Sequence, residues 1–407
     1  MDTVSVVFAS DLSYLPKTVV SIYSILESRS ADYHLDFYIL NSQNMKDIEG
    51  RTNWKFENYS IEFVNVDESL FEDLVLSIPH ISLPTYYRIL IPQVLPKLKK
   101  CIYMDGDTIC CSDIKELFDI ELGENYVGGC FGEWIDVSDK NLAKWAERIG
   151  VPNGTTYINA GVLLLDVEKM KTRTEMMLNE SRKNYPLQDQ DVINKCFYGK
   201  IEILHPKYNI YSWTSNMYNS GYDFRYDKEL IKQAIDAPCI VHYADEYTKP
   251  WRNDRCICSE LWWDIAKIAL SENEVESLQK EMLEYSKEYS GEKLLKLIKR
   301  YKKVILFGYG KAGPELKQFI EENFGTDIID FICDNNKELV GTYKDGLKVC
   351  SPHEIKVGDD DYVVIVTSQL YAKPITEQLR KMGISEGQIA VYRYKGDKYK
   401  LSISTQV

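Results

Sequence analysis

The segment Tyr103-Met104-Asp105-Gly106-Asp107-Thr108 places two carboxylates, separated by one glycine, directly after a short apolar run. Two hard oxygen donors at that spacing can meet one divalent cation, and such a cation can also take phosphate oxygens. In open α/β sheets ligands gather beyond the carboxyl ends of the strands, so a nucleoside diphosphate is the natural guest; the plain alternative is a polar turn. Asp189-Gln190-Asp191 heads a helical pattern, where acids also favour the helix dipole whatever else they do. His242, in a chain with five histidines, closes the run Cys239-Ile240-Val241, with Lys249-Pro250-Trp251 downstream. Further on, Gly308-Tyr309-Gly310-Lys311-Ala312-Gly313 follows an apolar run and Asp334 closes the next one, the context in which a G-x-G-x-x-G turn cradles a nucleotide. Gly308, Gly310, Gly313 and Asp334 are therefore a candidate second nucleotide site. The competing explanation is packing glycines, and no hydride-transfer residues accompany them.

The elements that must position these groups alternate. Val4–Ala9 reads as a strand, and Val19, Ile22, Tyr23 and Leu26 recur at helical spacing after Tyr14. Strands are predicted at 35–39, 61–65, 101–104, 126–130, 161–165 and 239–241, and helices at 167–183 and 189–197. Strands alternating with helices make an α/β sheet. Ser271 and Glu274 suit a capping box ahead of a charged helical connector, interrupted at Ser290-Gly291. A second alternation begins at Val304, with strands at 328–332 and 362–366, a helix opening after Gly313 and another at 372–382. The expected organisation is a large α/β domain over 1–270, a connector over 271–300, a small Rossmann-like α/β domain over 301–395 and a tail over 396–407.

The 407 residues carry a net charge of −13, which argues against nucleic-acid binding, since that rests on clustered positive charge. The start lacks a basic segment before an apolar run, and no stretch approaches the ~20 apolar residues a bilayer span needs, so a cytoplasmic location is expected. The ten cysteines lack paired C-x-x-C spacing and are expected as reduced thiols. Lys293, Lys296, Lys299, Arg300, Lys302 and Lys303 interleave with Leu294, Leu295, Leu297 and Ile298, either a solvated face or a peripheral contact with an anionic membrane.

Ala9-Ser10-Asp11-Leu12-Ser13-Tyr14, Tyr86-Tyr87-Arg88-Ile89-Leu90-Ile91-Pro92, Asp105-Gly106-Asp107, Asn159 to Asp166, Asp189 to Asn194, Lys207-Tyr208-Asn209, and His242-Tyr243 with Lys249-Pro250-Trp251 stand in the order seen in family 8 glycosyltransferases, which residues 1–255 resemble. The resemblance implies a GT-A fold, a bound Mn²⁺ with Mg²⁺ the alternative, and retaining transfer of a hexose from a UDP-sugar to a glycan, glycoprotein or lipid-linked acceptor. It also implies roles. Ala9, Asp11 and Tyr14 surround the uracil, with Tyr14 stacked on it. Asp105, Asp107 and His242 hold the metal, and Lys249 reaches the donor phosphates. Arg88, Gly106, Asn159 and Ala160 touch the donor, while Asp189 and Gln190 lie beneath the anomeric carbon with Asp191 a reserve nucleophile. Gln190 cannot form an ordinary stable ester, so front-face attack is expected.

One motif departs from the family. The usual His-x-x-Gly-x-x-Lys-Pro-Trp has Asp245 at the glycine position here and one extra residue before Lys249. The alternatives left open are a non-catalytic nucleotide-sensing or scaffold protein and a nicotinamide-dependent enzyme acting through the C-terminal domain. The sequence is silent on assembly beyond allowing a homo-oligomer.

Overall fold

The computed structural model describes residues 2–30, 32–42, 54–71, 74, 83–132, 139–219, 221–245, 248–252, 256–288, 291–310, 312–368, 371–393 and 402–404. The chain divides into Met1–Gln279 and Lys280–Val407, so the boundary falls inside the helix Glu272–Glu288 of the expected connector. Ser271 does meet Glu274 there, donating from its backbone N–H (3.0 Å) and its hydroxyl (2.6 Å) to Oε2.

In the first unit, β1 (Thr3–Ala9), β2 (His34–Asn41), β3 (Tyr59–Asn65) and β4 (Lys100–Met104) pair in parallel, in the order β3-β2-β1-β4. Their short apolar runs suit strands covered on both faces. Between β4 and β6 (Val127–Phe131) lies β7 (Ile158–Asp166), antiparallel to both, and β8 (Ile201–Ile203) closes the edge beside β6. The nearly continuous apolar run of β7 is buried along almost its whole length. A second, small sheet has β10 (Ile240–His242) between β5 (Thr108–Cys110) and β9 (Ile210–Tyr211). β10 runs antiparallel to β5 with His242 opposite Thr108, and Tyr243 N–H donates to the Asp107 carbonyl at 2.9 Å. That register carries a histidine from far along the chain to the Asp-Gly-Asp turn.

The single helix expected over 167–183 is broken into Val167–Met170, a 3₁₀ turn Lys171–Arg173, and Thr174–Ser181. Thr172 Oγ1 donates to the Lys169 carbonyl (2.8 Å) and Thr174 Oγ1 to Met170 (3.4 Å), side-chain bonds of the kind that compete with a regular helical ladder. The helix Gln188–Cys196 begins on Gln188, a non-glycine residue in the left-handed region (φ 53°).

The second unit contains β11 (Lys303–Phe307), β12 (Ile329–Cys333), β13 (Tyr343–Lys344), β14 (Leu347–Cys350), β15 (Tyr362–Val366), β16 (Ile389–Arg393) and β17 (Ser402–Ser404). The parallel strands stand in the order β14-β12-β11-β15-β16, with β13 and β17 antiparallel at the edges. The helix expected after Gly313 starts one residue before it, as Ala312–Phe324. A Cβ on Gly313 would stand 2.7 Å from the Tyr309 ring, so this glycine lets that ring pack on the first helical turn. Gly308 holds a positive φ of 83°, and the Asp334 carboxylate accepts from Asn336 N–H at 2.9 Å. Lys311, Ser290 and most of the tail 396–407 lie outside the described residues, as does the side chain of Lys293. No described helix is long and apolar enough to cross a membrane.

Candidate active site

Asp105 and Asp107 leave the carboxyl end of β4, and His242 ends β10. One ligand atom from each of the three lies within 4.8 Å of the others. His242 Nε2 stands 3.4 Å from Asp107 Oδ1 and 3.8 Å from Asp105 Oδ2. Asp107 Oδ1 is buried and, among the described residues, accepts no hydrogen bond. A buried carboxylate oxygen costs free energy unless something meets it. Two carboxylates and an imidazole around one point are a donor set that suits a divalent transition ion such as Mn²⁺, so the residues fit the metal that the motif implies.

Two glycines make room for this cluster. Gly161 on β7 faces Asp105, whose N–H donates to the Gly161 carbonyl at 2.7 Å. A Cβ at Gly161 would lie 2.1 Å from His242 Cε1 and 2.9 Å from Asp105 Oδ2. A Cβ at Gly106 would lie 2.3 Å from Thr18 Oγ1, on the helix Leu15–Ser28.

Cations and acids alternate around the metal-ligand cluster. Arg88, from the 3₁₀ helix Leu83–Leu90, is buried and bridges Asp105 (Nη2 to Oδ1, 2.9 Å) and Asp189 (Nε to Oδ2, 3.1 Å), while Nη1 donates to the Ala160 carbonyl. Lys249 Nζ donates to Asp107 Oδ2 and to the Tyr243 carbonyl (2.8 Å). Burial would raise the Asp107 carboxyl, but the Lys249 ammonium resting on it holds it well below the usual range. For Asp105, burial wins over Arg88 and its value rises. Burial likewise pushes Asp189 up to about 6, against Arg88.

Tyr14 also enters the site. Its hydroxyl donates to Asp107 Oδ2 at 3.2 Å, and its ring meets Trp251 edge-on at 5.9 Å. Asp11 Oδ1 accepts from Tyr14 N–H (2.9 Å) and Ser13 Oγ (2.7 Å), and so shapes the turn into the helix Leu15–Ser28. Ala9, half-buried, ends β1 ahead of this turn.

The Asp189-Gln190-Asp191 helix is clamped to β7 by Asn194, which accepts from Ile158 N–H (2.7 Å) and donates to the Ile158 carbonyl (2.8 Å). Gln190 Oε1 accepts from Asn159 Nδ2 (3.0 Å) and Ala160 N–H (3.1 Å). Asp191 is fully buried. Its oxygens take Tyr157 OH (2.6 Å), Arg148 Nη2 (3.0 Å) and Leu187 N–H (2.9 Å). Held on both oxygens, Asp191 anchors the start of the helix. Sequence reasoning assigned no role to Tyr157, Arg148 or Asn194, and none to Asn209 or Gly161. The Lys207-Tyr208-Asn209 motif was the one available signal for Asn209.

A mixed sheet whose β4 ends in an Asp-Gly-Asp turn able to hold a metal, with the helix Gln188–Cys196 clamped to β7, is the architecture of a GT-A glycosyltransferase. The chain belongs to glycosyl transferase family 8, whose model matches residues 5–255, and it is a glycosyltransferase. Residues 300–390 match a second model, described as C2185-like, N-terminal. A putative glycosyltransferase of Haemophilus influenzae is 28% identical over 281 residues, covering 66% of this chain and 78% of that protein. A lipopolysaccharide 1,2-glucosyltransferase of Escherichia coli K12 is 26% identical, covering 65% and 78%. The crystal structure of the galactosyltransferase LgtC, in complex with donor and acceptor sugar analogues, superposes with a TM-score of 0.55 at 22% identity, over 66% of this chain and 96% of that one, and so shares the fold.

Proposed function

We propose that the protein transfers glucose or galactose from the UDP-sugar to a glycan, glycoprotein or lipid-linked acceptor, with Mn²⁺ and with retention of anomeric configuration. The observation that carries this reading is the buried, unbonded Asp107 Oδ1 facing His242 Nε2 beside Asp105. Related proteins that act on glucose and galactose support the hexose. Asp105, Asp107 and His242 would hold the metal, which would supply positive charge to the departing diphosphate as the sugar–phosphate bond breaks. Lys249 adds a cation at the same carboxylate, within reach of that developing charge. Tyr14 offers its ring to the uracil beside Asp11 and Ala9, and Gly106 brings backbone close to the phosphates. Arg88, Asn159 and Ala160 set the donor sugar against Asp189 and Gln190.

Gln190 is a neutral amide with Oε1 doubly bonded, Asp189 is paired with Arg88 and Asp191 with Arg148, an arrangement that favours front-face transfer over activation of an acceptor from the opposite face. The experiment is a panel of nucleotide sugars with Mn²⁺, followed by NMR of the first product. UDP-glucose or UDP-galactose should turn over and the α-configured donor should yield an α-linked product. A β-linked product, or silence across the panel, overturns the reading.

Asp189 adds a pH signature. Its folded value, about 6, exceeds the ~3.9 of a free aspartate. The folded protein therefore holds extra proton between those values, and this group's contribution to stability falls as pH rises through the window and is constant above it. Ionised Asp189 is the form paired with Arg88, so kcat/KM should decline on the acid side with a midpoint at or below about 6, since a bound cation lowers it further. Asp189→Asn should remove that acid limb from the pH profile; an unchanged limb assigns it elsewhere.

The C-terminal unit reads as Rossmann-like. Its parallel strands, counted in chain order, stand 3-2-1-4-5, and Gly308 follows the first of them. A binding or docking role fits the absence of hydride-transfer residues from its glycine motif, and calorimetry with adenine and nicotinamide nucleotides tests it.

A further inference from the structure

The hydrogen bonds behind the metal-ligand cluster run in one direction. His242 Nδ1 lies 2.9 Å from Asn209 Oδ1. Asn209 Nδ2 donates to Asn159 Oδ1 (2.9 Å), and Asn159 Nδ2 donates to Gln190 Oε1 (3.0 Å). Gln190 Nε2 donates to Tyr157 OH (3.2 Å), which donates to Asp191 Oδ1 (2.6 Å). Asn209, Asn159 and His242 are all buried.

Two backbone groups fix this polarity. Gly161 N–H donates to Asn159 Oδ1 (2.9 Å) and Ala160 N–H to Gln190 Oε1 (3.1 Å). An amide N–H can only donate, so the atoms it meets are carbonyl oxygens, and the orientation of both side-chain amides follows. Asn159 thus turns its oxygen to Asn209, which must answer with its NH₂ and aim its own oxygen at His242. An oxygen acceptor at that place requires the proton on Nδ1. The Nε2 lone pair is then left facing Asp105 and Asp107, an arrangement that only a cation or a proton relieves.

We infer that Asn209 is a positioning residue that holds His242 in its Nδ1–H tautomer, and that through Asn159 it ties this metal ligand to the Gln190 amide. The metal half of the inference rests on the proposed Mn²⁺ reading; the tautomer half stands on the hydrogen bonds alone. Partners of metal-ligating histidines of this kind typically govern metal affinity by 10–100-fold.

The test uses the full chain with ¹⁵N-labelled histidine. Long-range ¹⁵N–¹H correlation spectra report which ring nitrogen carries the proton, and His242→Gln assigns the His242 pattern. Wild type should show His242 protonated on Nδ1. Asn209→Leu should shift it towards Nε2–H and weaken Mn²⁺ binding, followed by electron paramagnetic resonance of free Mn²⁺, by about 10–100-fold. Asn209→Asp, which still accepts from Nδ1–H but loses the NH₂ that meets Asn159, should keep Nδ1 protonated while cutting the tie to Gln190. An Nε2–H pattern in wild type overturns the inference whether or not any variant folds, and so does an Asn209→Leu protein with wild-type tautomer and Mn²⁺ affinity. If wild type shows the Nδ1–H pattern but binds no Mn²⁺, the tautomer assignment is upheld and the metal reading is what fails.

Discussion

Asp107→Asn should reduce kcat/KM with the UDP-sugar by at least about 10²–10³-fold, the scale on which removing one preorganised charge-stabilising group acts. The substitution is nearly isosteric, and the backbone bond from Tyr243 N–H to the Asp107 carbonyl, which docks β10 on β5, does not involve the side chain. The circular dichroism spectrum should therefore match wild type. What changes is charge: the oxygen facing His242 no longer draws a cation, and Lys249 loses the carboxylate on which it rests. Because Lys249 holds the Asp107 carboxyl far below the usual range, wild-type Asp107 stays ionised at every pH where the protein is assayed, and mild acid does not reproduce the variant. Mn²⁺ binding should fall along with turnover. A folded Asp107→Asn protein with full Mn²⁺-dependent turnover would remove Asp107 from the metal site.

Much of the frame that carries Asp107 was legible in the sequence. Apolar runs of five or more residues, such as Val4–Ala9 and Gly161–Leu165, are strands because both sheet faces are covered, and they announce themselves without partners. Asp105 and Asp107 were legible for the same reason, since the run before them ends abruptly in acids. Shorter elements were not. β9 has two residues and β5 three; they exist because β10 pairs with both, a long-range fact with no local signature. The broken helix after Asp166 turned on threonine side chains returning to the backbone, which hydrophobic spacing does not register. The positioning residues were hidden by separation: His242 and Asn209 are 33 residues apart, Asn209 and Asn159 50, Asn159 and Gln190 31. Asparagine and glutamine carry no charge pattern by which such partners could be matched before the fold joins them. In the C-terminal unit Gly313 matched a nucleotide motif, yet its spacing to Tyr309 answers to packing as well, and only the placement of that ring shows it.

Gly161→Ala should do to the metal site, from outside the ligand set, nearly what loss of a ligand does. One methyl group on the central strand β7 would stand 2.1 Å from His242 Cε1 and 2.8 Å from its Nδ1, well inside any real Cβ contact, so the ring or the strand must shift. The strand is held on both sides by β4 and β6 and buried along its length, which leaves the imidazole as the part that yields. Moving it breaks the bond to Asn209 and turns Nε2 away from Asp105 and Asp107. Mn²⁺ affinity should drop about 10–100-fold, the range seen when support for a ligating histidine is lost, with transfer at limiting metal falling in step. Overpacking of a buried strand should cost about 1–3 kcal/mol of stability besides. The comparison that isolates the site is Gly129→Ala on neighbouring β6, where the added Cβ would meet Ile158 Cδ1 at 2.5 Å rather than a ligand. Both variants should melt below wild type, but only Gly161→Ala should need more Mn²⁺ for half-maximal turnover. Equal metal requirements in the two would mean that His242 does not depend on the space Gly161 leaves.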